Sequence, residues 1–490
     1  MTRDTSSWTL QRPVRLPVLG KYLGQLAIVL AALALPPLVA AAVDGDAAAI
    51  LRYVLTLVVL LSIGLPLARL PAPPTPIQGN EALAIAALAF ILGTVAMSFP
   101  LMNPGLDWLD AVFESTSAIT TTGLTTLASV EDKPRYFLFA RAWQQWYGGL
   151  GIAVLSVALL SGYDAAARQL LDPQAMHENL DTSARLFARR AFLTYTVLTL
   201  GGSGALWWSG LPPFEALTHA LAAISTGGFS TRDASLAAFP GWTPRLVTMS
   251  LSLAGAVALP LYFLAWRQGW RKLAANVELH ALLALCALSS ALLALLLYHA
   301  QGAWQPDLAG HAVLMAISAQ TTTGFASLPV VELDATAKLT LILCMLVGGS
   351  VGSTAGGIKL WRLLLLLRLS QLMLRRLAMP NHAVAELRLG GRIVEADELT
   401  RGLLLMLLFA TAVLCSWFPF LWFGHDPLNA LFEVVSALAT TGLSAGIAGP
   451  DLHPLLKGVL CADMMLGRLE IVAVLVLFAP RTWLGRRRRL

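Results

Sequence analysis

The sequence predicts an all-α polytopic membrane protein. It predicts four repeats of helix, re-entrant half-helix, loop and helix around a pseudo-fourfold pore, with two extra N-terminal transmembrane helices. Three observations lead there. Apolar types make up 57% of the 490 residues and charged types only 13%, against roughly 25% charged in a typical soluble domain. Apolar runs long enough to cross a bilayer recur along the whole chain. One short Thr/Gly pattern returns four times, roughly every 100 residues. This composition excludes a disordered chain, a collagen-like chain and almost every soluble class. Cys286, Cys344, Cys415 and Cys461 form no CxxC pair, and they read as small core hydrophobes rather than a disulfide framework or zinc site.

A helix needs about 20 mostly apolar residues to span the hydrocarbon core. Residues 1–21 are polar and basic and lack the apolar core of a cleaved signal. Runs then follow at about 23–43, 50–68, 82–100, 138–161, 190–209, 246–266, 279–299, 338–366, 402–424 and 456–479, ten candidate spans in all. The bilayer offers backbone groups no water, so such runs are helices or parts of a closed barrel, and their length and Leu/Ala content select helices. Basic residues cluster in alternate connections: Arg3, Arg12, Arg15 and Lys21; Arg168, Arg185, Arg189 and Arg190; Arg267, Arg271 and Lys272; Arg362, Arg368, Arg375, Arg376, Arg388, Arg392 and Arg401; and Arg486 to Arg489. The other connections are acidic, with Asp44, Asp46, Asp132, Asp233 and Glu332 among them. The positive-inside rule then puts both termini in the cytoplasm. Beside a membrane span the terminal arginines suit anionic membrane lipids, and no nucleic acid is expected. The largest connections, 162–188 and 370–400, are too short for a soluble catalytic or nucleotide-binding domain.

The repeats divide the chain into an N-terminal two-helix region (1–75) and units at 76–165, 186–272, 276–370 and 400–490. In register, their signatures are Thr120-Thr121-Thr122-Gly123-Leu124, Ser225-Thr226-Gly227-Gly228-Phe229, Thr321-Thr322-Thr323-Gly324-Phe325 and Ala439-Thr440-Thr441-Gly442-Leu443. Each follows a half-apolar stretch too short to cross, with Asp107, Glu215, Asp307 or Asp426 near its start, where an acid suits the positive end of a helix dipole. Non-helical backbone at membrane depth is tolerated where it lines a watery cavity. Four such loops around one axis supply a ring of carbonyls that can replace a cation's hydration shell, and glycine supplies the φ > 0 that turns carbonyls inward. The candidate filter is therefore Thr121, Thr122, Gly123, Thr226, Gly227, Gly228, Thr322, Thr323, Gly324, Thr440, Thr441 and Gly442. The competing reading, small residues packing helices, suits one such cluster better than four in register.

Together with Arg141-Ala142-Trp143-Gln144-Gln145-Trp146-Tyr147-Gly148-Gly149-Leu150-Gly151, Gly348 to Lys359 and Gly467-Arg468-Leu469-Glu470-Ile471, these loops resemble the TrkH/TrkG/KtrB superfamily of potassium transporters. The two N-terminal spans favour the TrkH group. The resemblance covers nearly the whole chain. It implies four M1–P–M2 units, potassium as transported ion, no cofactor in this chain, a homodimer in the bacterial inner membrane, and a cytoplasmic TrkA-like regulatory subunit that binds nucleotide. Two places depart from the pattern. The stretch Ser252 to Pro260 matches only loosely, and Thr441-Gly442-Leu443-Ser444 lacks the usual ending.

Span eight is interrupted by Gly348, Gly349, Gly352, Gly356 and Gly357, with Ser353 and Thr354 between them. That density breaks a helix and predicts an irregular loop facing a cavity below the filter. The resemblance implies that this loop obstructs the pore and moves on gating. A phosphate loop would need Gly-Lys adjacent, and Ile358 intervenes. GxxxG packing fits Gly352 and Gly356, but five glycines exceed its needs. Lys359 either belongs to this gate or extends to the inner interface. Arg468 lies within an apolar span near Asp463 and Glu470; it either repels cations below the filter, the role the resemblance assigns, or holds helices through a buried acid pair. The eight histidines show no metal-ligand spacing, and no nucleophile elbow or triad pattern stands out, so no enzyme is expected. The leading alternative is a sodium- or proton-coupled secondary carrier, which predicts inverted repeats, whereas these repeats share one orientation.

Overall fold

Proline and glycine divide the apolar runs into helices. The computed structural model describes residues 8–10, 13–71, 77–102, 106–160, 180–301, 306–380, 386–484 and 487–489. Arg3, Arg12, Arg168, Arg486 and residues 162–179 of the 162–188 connection lie outside the described residues. The first span starts earlier than its apolar run. Helix α1 (Leu16–Leu33) carries proline in its first turn, and α2 (Leu35–Asp44) restarts at Pro36 and Pro37, where a missing N–H costs nothing. Gly45, at φ 73°, ends α2. Asp46 then caps α3 (Ala47–Ala68) by accepting from the Ala49 amide at 2.9 Å, and that bond holds its carboxyl below the usual carboxylate range. Small residues let α1 and α3 approach: a Cβ on Gly24 would strike the Ala68 amide. Arg15 ties this pair to the first repeat through an ion pair at 2.7 Å with fully buried Glu81.

Four units follow. The first holds α4 (Gly79–Leu101), α5 (Trp108–Ile119) and α6 (Arg135–Leu160). The second holds α7 (Leu180–Trp208), α8 (Pro213–Ile224), α9 (Trp242–Ala256) and α10 (Leu259–Gln268). The third holds α11 (Val277–Gln301), α12 (Pro306–Gln320), α13 (Ala335–Leu346) and α14 (Leu360–Leu377). The fourth holds α15 (Ala396–Trp422), α16 (Pro427–Leu438), α17 (Pro454–Arg468) and α18 (Val472–Phe478). The short helices α5, α8, α12 and α16 have 12, 12, 15 and 12 residues. At about 1.5 Å per residue they cannot cross a core about 30 Å thick. Of the acids expected at their starts, Asp426 caps α16 through the Asn429 amide, Asp307 accepts from Trp242 at 3.1 Å, Glu215 pairs with Arg232, and Asp107 stands at its N-cap without a side-chain bond.

The ten expected spans are not ten continuous helices. Among the described residues five helical stretches, one of them α1 run on into α2, are long and apolar enough to cross a membrane, and the bent pair α9–α10 makes a sixth. The remaining second helices are broken, or carry buried polar groups, as α6 carries Arg141, Gln144 and Gln145. The run at 338–366 breaks at its glycines as expected. The runs at 246–266 and 456–479 also break, which was not expected: α9 and α10 meet at 88° just before Pro260, and α17 and α18 are separated by Glu470 and Ile471 at φ 55° and 59°. The largest buried apolar cluster joins units three and four, and a second joins the N-terminal pair to unit one.

Candidate functional site

Each short helix ends in the same way. In unit one the Thr121 amide donates to Ala118 O at 3.0 Å and the Thr122 amide to Ser117 O at 2.8 Å. The corresponding bonds recur from Thr226 and Gly227, from Thr322 and Thr323, and from Thr440 and Thr441. This is the paired-bond Schellman stop, whose turning residue is normally glycine. Here it is threonine four times, at φ 53°, 50°, 52° and 50° for Thr121, Thr226, Thr322 and Thr440. Left-handed backbone costs a β-branched residue about 1–2 kcal/mol, so the surroundings must impose it. Two residues on, Gly123, Gly228, Gly324 and Gly442 return to positive φ. Alternating handedness brings successive carbonyls to one side of each strand, and the negative helix ends point at the same place.

The four loops close on each other. A Cβ on Gly123 would collide with the Gly227 carbonyl, one on Gly228 with Thr323 O, one on Gly324 with Thr441 O, and one on Gly442 with Thr122 O. The order runs from unit one to four and back to one, so all twelve predicted filter residues belong to one ring. Threonine hydroxyls brace it: Thr120 to Thr122 and Thr321 to Thr323 lie 2.8 Å apart. The second helices press in from behind. Gly148, Gly255 and Gly467 each pass so close to the end of a short helix that a Cβ would strike Ile119 O, Ile224 O or Leu438 O. Gly255 therefore does the same work as its counterparts, although its flanking sequence matches the pattern only loosely. In unit three, Gln320 instead donates its side-chain amide to Val347 O.

Sequence reasoning missed the groups that hold the ring's outer return. Nine residues before each ring glycine stand Glu114, His219, Met315 and Glu433, all buried. Glu114 accepts from Thr125 Oγ1 at 2.6 Å and the Thr126 amide at 3.0 Å. Glu433 accepts from Ser444 Oγ, Ala445 N and Ala448 N at 2.8–3.0 Å. His219 meets Ser230 Oγ at 3.1 Å and Met315 Sδ accepts from Ser327 N at 3.3 Å. Arg141 pairs with Glu114 at 2.9 Å and lies 3.7 Å over the Phe229 ring. The signal was available, since two acids inside apolar half-helices share one register. Two acids near the ring's outer side are held in contacts: Asp110 pairs with Lys457 at 2.6 Å, and Asp233 accepts from Ser129 and Val130.

The glycine-rich stretch between α13 and α14 is irregular, as expected, and lies against the threonine ends of three loops. The Gly356 amide donates to Thr322 Oγ1 at 2.7 Å, Thr354 Oγ1 lies 3.3 Å from Thr226 Oγ1, and a Cβ on Gly356 would strike Thr440 and Ala439. Gly348, Gly349, Gly352, Ser353 and Gly357 complete the turn, with Gly352 and Gly357 at φ 76° and 63°. Lys359 does not extend to the interface. It is buried and donates to Ala355 O inside the loop. Arg468 donates to Thr354 O at 2.7 Å. Its expected acid partners are engaged elsewhere, Glu470 with Arg362 at 2.5 Å and Asp463 with Ser416 at 2.5 Å. Beyond the loop lies a mostly apolar cavity of about 460 Å³, bordered by Ile152, Leu155, Gly356, Lys359, Arg468 and Val472.

Four short helices aimed at one closed ring, inside a bundle of membrane-length helices, define a pore-loop membrane protein. The chain belongs to the TrkH family: the family model described as a cation transport protein matches residues 56–275 and 280–484. The potassium uptake protein TrkH of Salmonella typhimurium is 31% identical over 426 residues, 83% of this chain and 86% of that one. TrkG of Escherichia coli is 29% identical with the same coverage. The crystal structure of the potassium transporter TrkH from Vibrio parahaemolyticus superposes with a TM-score of 0.86 at 28% identity, covering 96% of this chain and all of that one.

Proposed function

We propose that this chain takes up potassium across the bacterial inner membrane, passing ions in single file through the ring of four Thr/Gly loops. The closed cyclic contact of the ring glycines with neighbouring carbonyls carries this reading, and kinship with Trk potassium uptake proteins supports the choice of ion. Carbonyls near Thr122-Gly123, Gly227-Gly228, Thr323-Gly324 and Thr441-Gly442 would replace the ion's water. The loop Gly348–Gly357 closes the inner side, and Arg468 adds a positive barrier where a leaving cation must pass. Both termini face the cytoplasm, where basic loops suit a nucleotide-binding TrkA-like subunit, and two copies form the working dimer. No bond is made or broken.

The test is rubidium uptake into proteoliposomes, competed by potassium and by sodium. Gly324→Ser puts a side chain at φ 86° against Thr441 O, and uptake should fall to background while the protein still inserts. Undiminished uptake by that variant would remove the ring from the ion path.

A further inference from the structure

We infer that Gln145 is a positioning residue for ion discrimination: its side-chain amide holds the Gly227 carbonyl and fills the place of the threonine that the second loop lacks. The inference rests on reading the four loops as an ion filter. Thr122, Gly227, Thr323 and Thr441 are equivalent. Each amide bonds the carbonyl five residues back in its short helix, and each carbonyl faces the ring glycine of a neighbouring loop. Three of the four are threonine and one is glycine. A Cβ on Gly227 would collide with Cδ, Oε1 and Nε2 of Gln145, so glycine and glutamine occupy one space between them.

Gln145 comes from α6 of unit one and is fully buried. Its Nε2 donates to Gly227 O at 2.5 Å, and its Oε1 accepts from Phe229 N at 3.2 Å. The backbone N–H of Phe229 can only donate, which fixes the orientation of the amide. The two bonds straddle Gly228, at φ 75°, and so clamp the turn that aims this strand. The residues that also stand three before a close-contact glycine are Ser252 in unit two and Met464 in unit four, and neither carries an amide. The ring is therefore chemically asymmetric. One carbonyl shares its electron density with a protein N–H, which lowers its field on an ion. The number and field strength of ligating carbonyls discriminate among cations of different radius, so this clamp is a determinant of the ratio in which potassium and sodium are accepted.

Rubidium uptake by full-length protein in proteoliposomes, competed by potassium and sodium, tests this with three variants. Gln145→Leu keeps the bulk and removes both bonds; the ratio of sodium to potassium inhibition constants should change by at least about threefold. Gly227→Thr alone should abolish uptake, because threonine meets Gln145. Gln145→Ala with Gly227→Thr restores the space and should recover uptake, again with a changed ratio. If Gln145→Leu fails to fold, the double variant carries the measurement. Competent variants with the wild-type ratio would overturn the role of Gln145 alone. A wild-type protein without potassium-competed uptake would instead overturn the filter reading beneath it.

Discussion

Arg468 is 3% exposed and satisfies one donor on Thr354 O, while Nε and Nη2 have no partner among the described residues. A guanidinium is always charged in proteins, so on the proposed ion path its position against the glycine-rich loop places a full positive charge beside the exit. Arg468→Ala should raise uptake about tenfold, which corresponds to removing about 1.4 kcal/mol of barrier; equal uptake at equal insertion would leave Arg468 a structural clasp. Arg141 and Glu114 form the opposite case, a buried pair distant from that exit. Arg141→Met leaves buried Glu114 without its cation, and the expected cost is about 3–5 kcal/mol, read as a lowered melting temperature in detergent. The ring glycines were legible in the sequence because glycine has few other reasons to recur after threonine in register. The left-handed threonines were not. Threonine disfavours that backbone, and only the helix stop that imposes it shows why it is there.

A break in one helix is expensive unless another element answers the freed groups, and here two breaks answer each other. The bend in unit two exposes Gly255 O, Ala256 O and the Leu259 amide. They bond Thr354 N at 3.2 Å, Ser350 N at 3.0 Å and Gly352 O at 3.2 Å, all within the gate loop of unit three. The single proton of the Thr354 hydroxyl is shared between Ile224 O at 3.0 Å and Gly255 O at 2.9 Å, and Val351 N reaches Glu278 at 3.2 Å. On its other face the loop packs Val351 with Trp361, Leu365, Leu389 and Val394, the last two at a short hairpin of Arg388–Leu389 and Arg392–Ile393. Thr354→Val removes the one hydrogen bond the hydroxyl donates, about 1 kcal/mol, and should loosen the closed loop and raise basal uptake several-fold. Unchanged uptake would show that backbone bonds alone keep it shut. Five glycines announced the break in unit three. The break in unit two was hidden because apolar letters continue through Ala256 to Leu259, and that in unit four because Arg468 and Glu470 read as isolated charges within one span; the reason to bend lies in a partner segment about 100 residues away.

At the scale of the whole molecule, unit order, ring closure and charge sorting must agree on one orientation. The short helices of all four units enter from one side, and the gate loop and Arg468 lie on the other face of the ring. Arg267, Arg271, Lys272, Arg375 and Arg376 fall at helix ends remote from the ring's outer return, while Asp132 and Glu332 fall near it. On the proposed orientation, which rests on the positive-inside rule, the proposed gate faces the cytoplasm, where a regulatory subunit could reach it. Two exposed positions distinguish the faces: Asp132, 62% exposed at its side chain, follows the first ring loop, and Leu377, 86% exposed, ends α14 beyond the gate. In a protein freed of its own cysteines, including exposed Cys415, Asp132→Cys should react with a membrane-impermeant maleimide in intact spheroplasts. Leu377→Cys should react only after the membrane is opened. The reverse pattern would turn the molecule over and place the gate outside. Equal labelling of both positions in sealed spheroplasts would mean that charge sorting does not fix a single orientation.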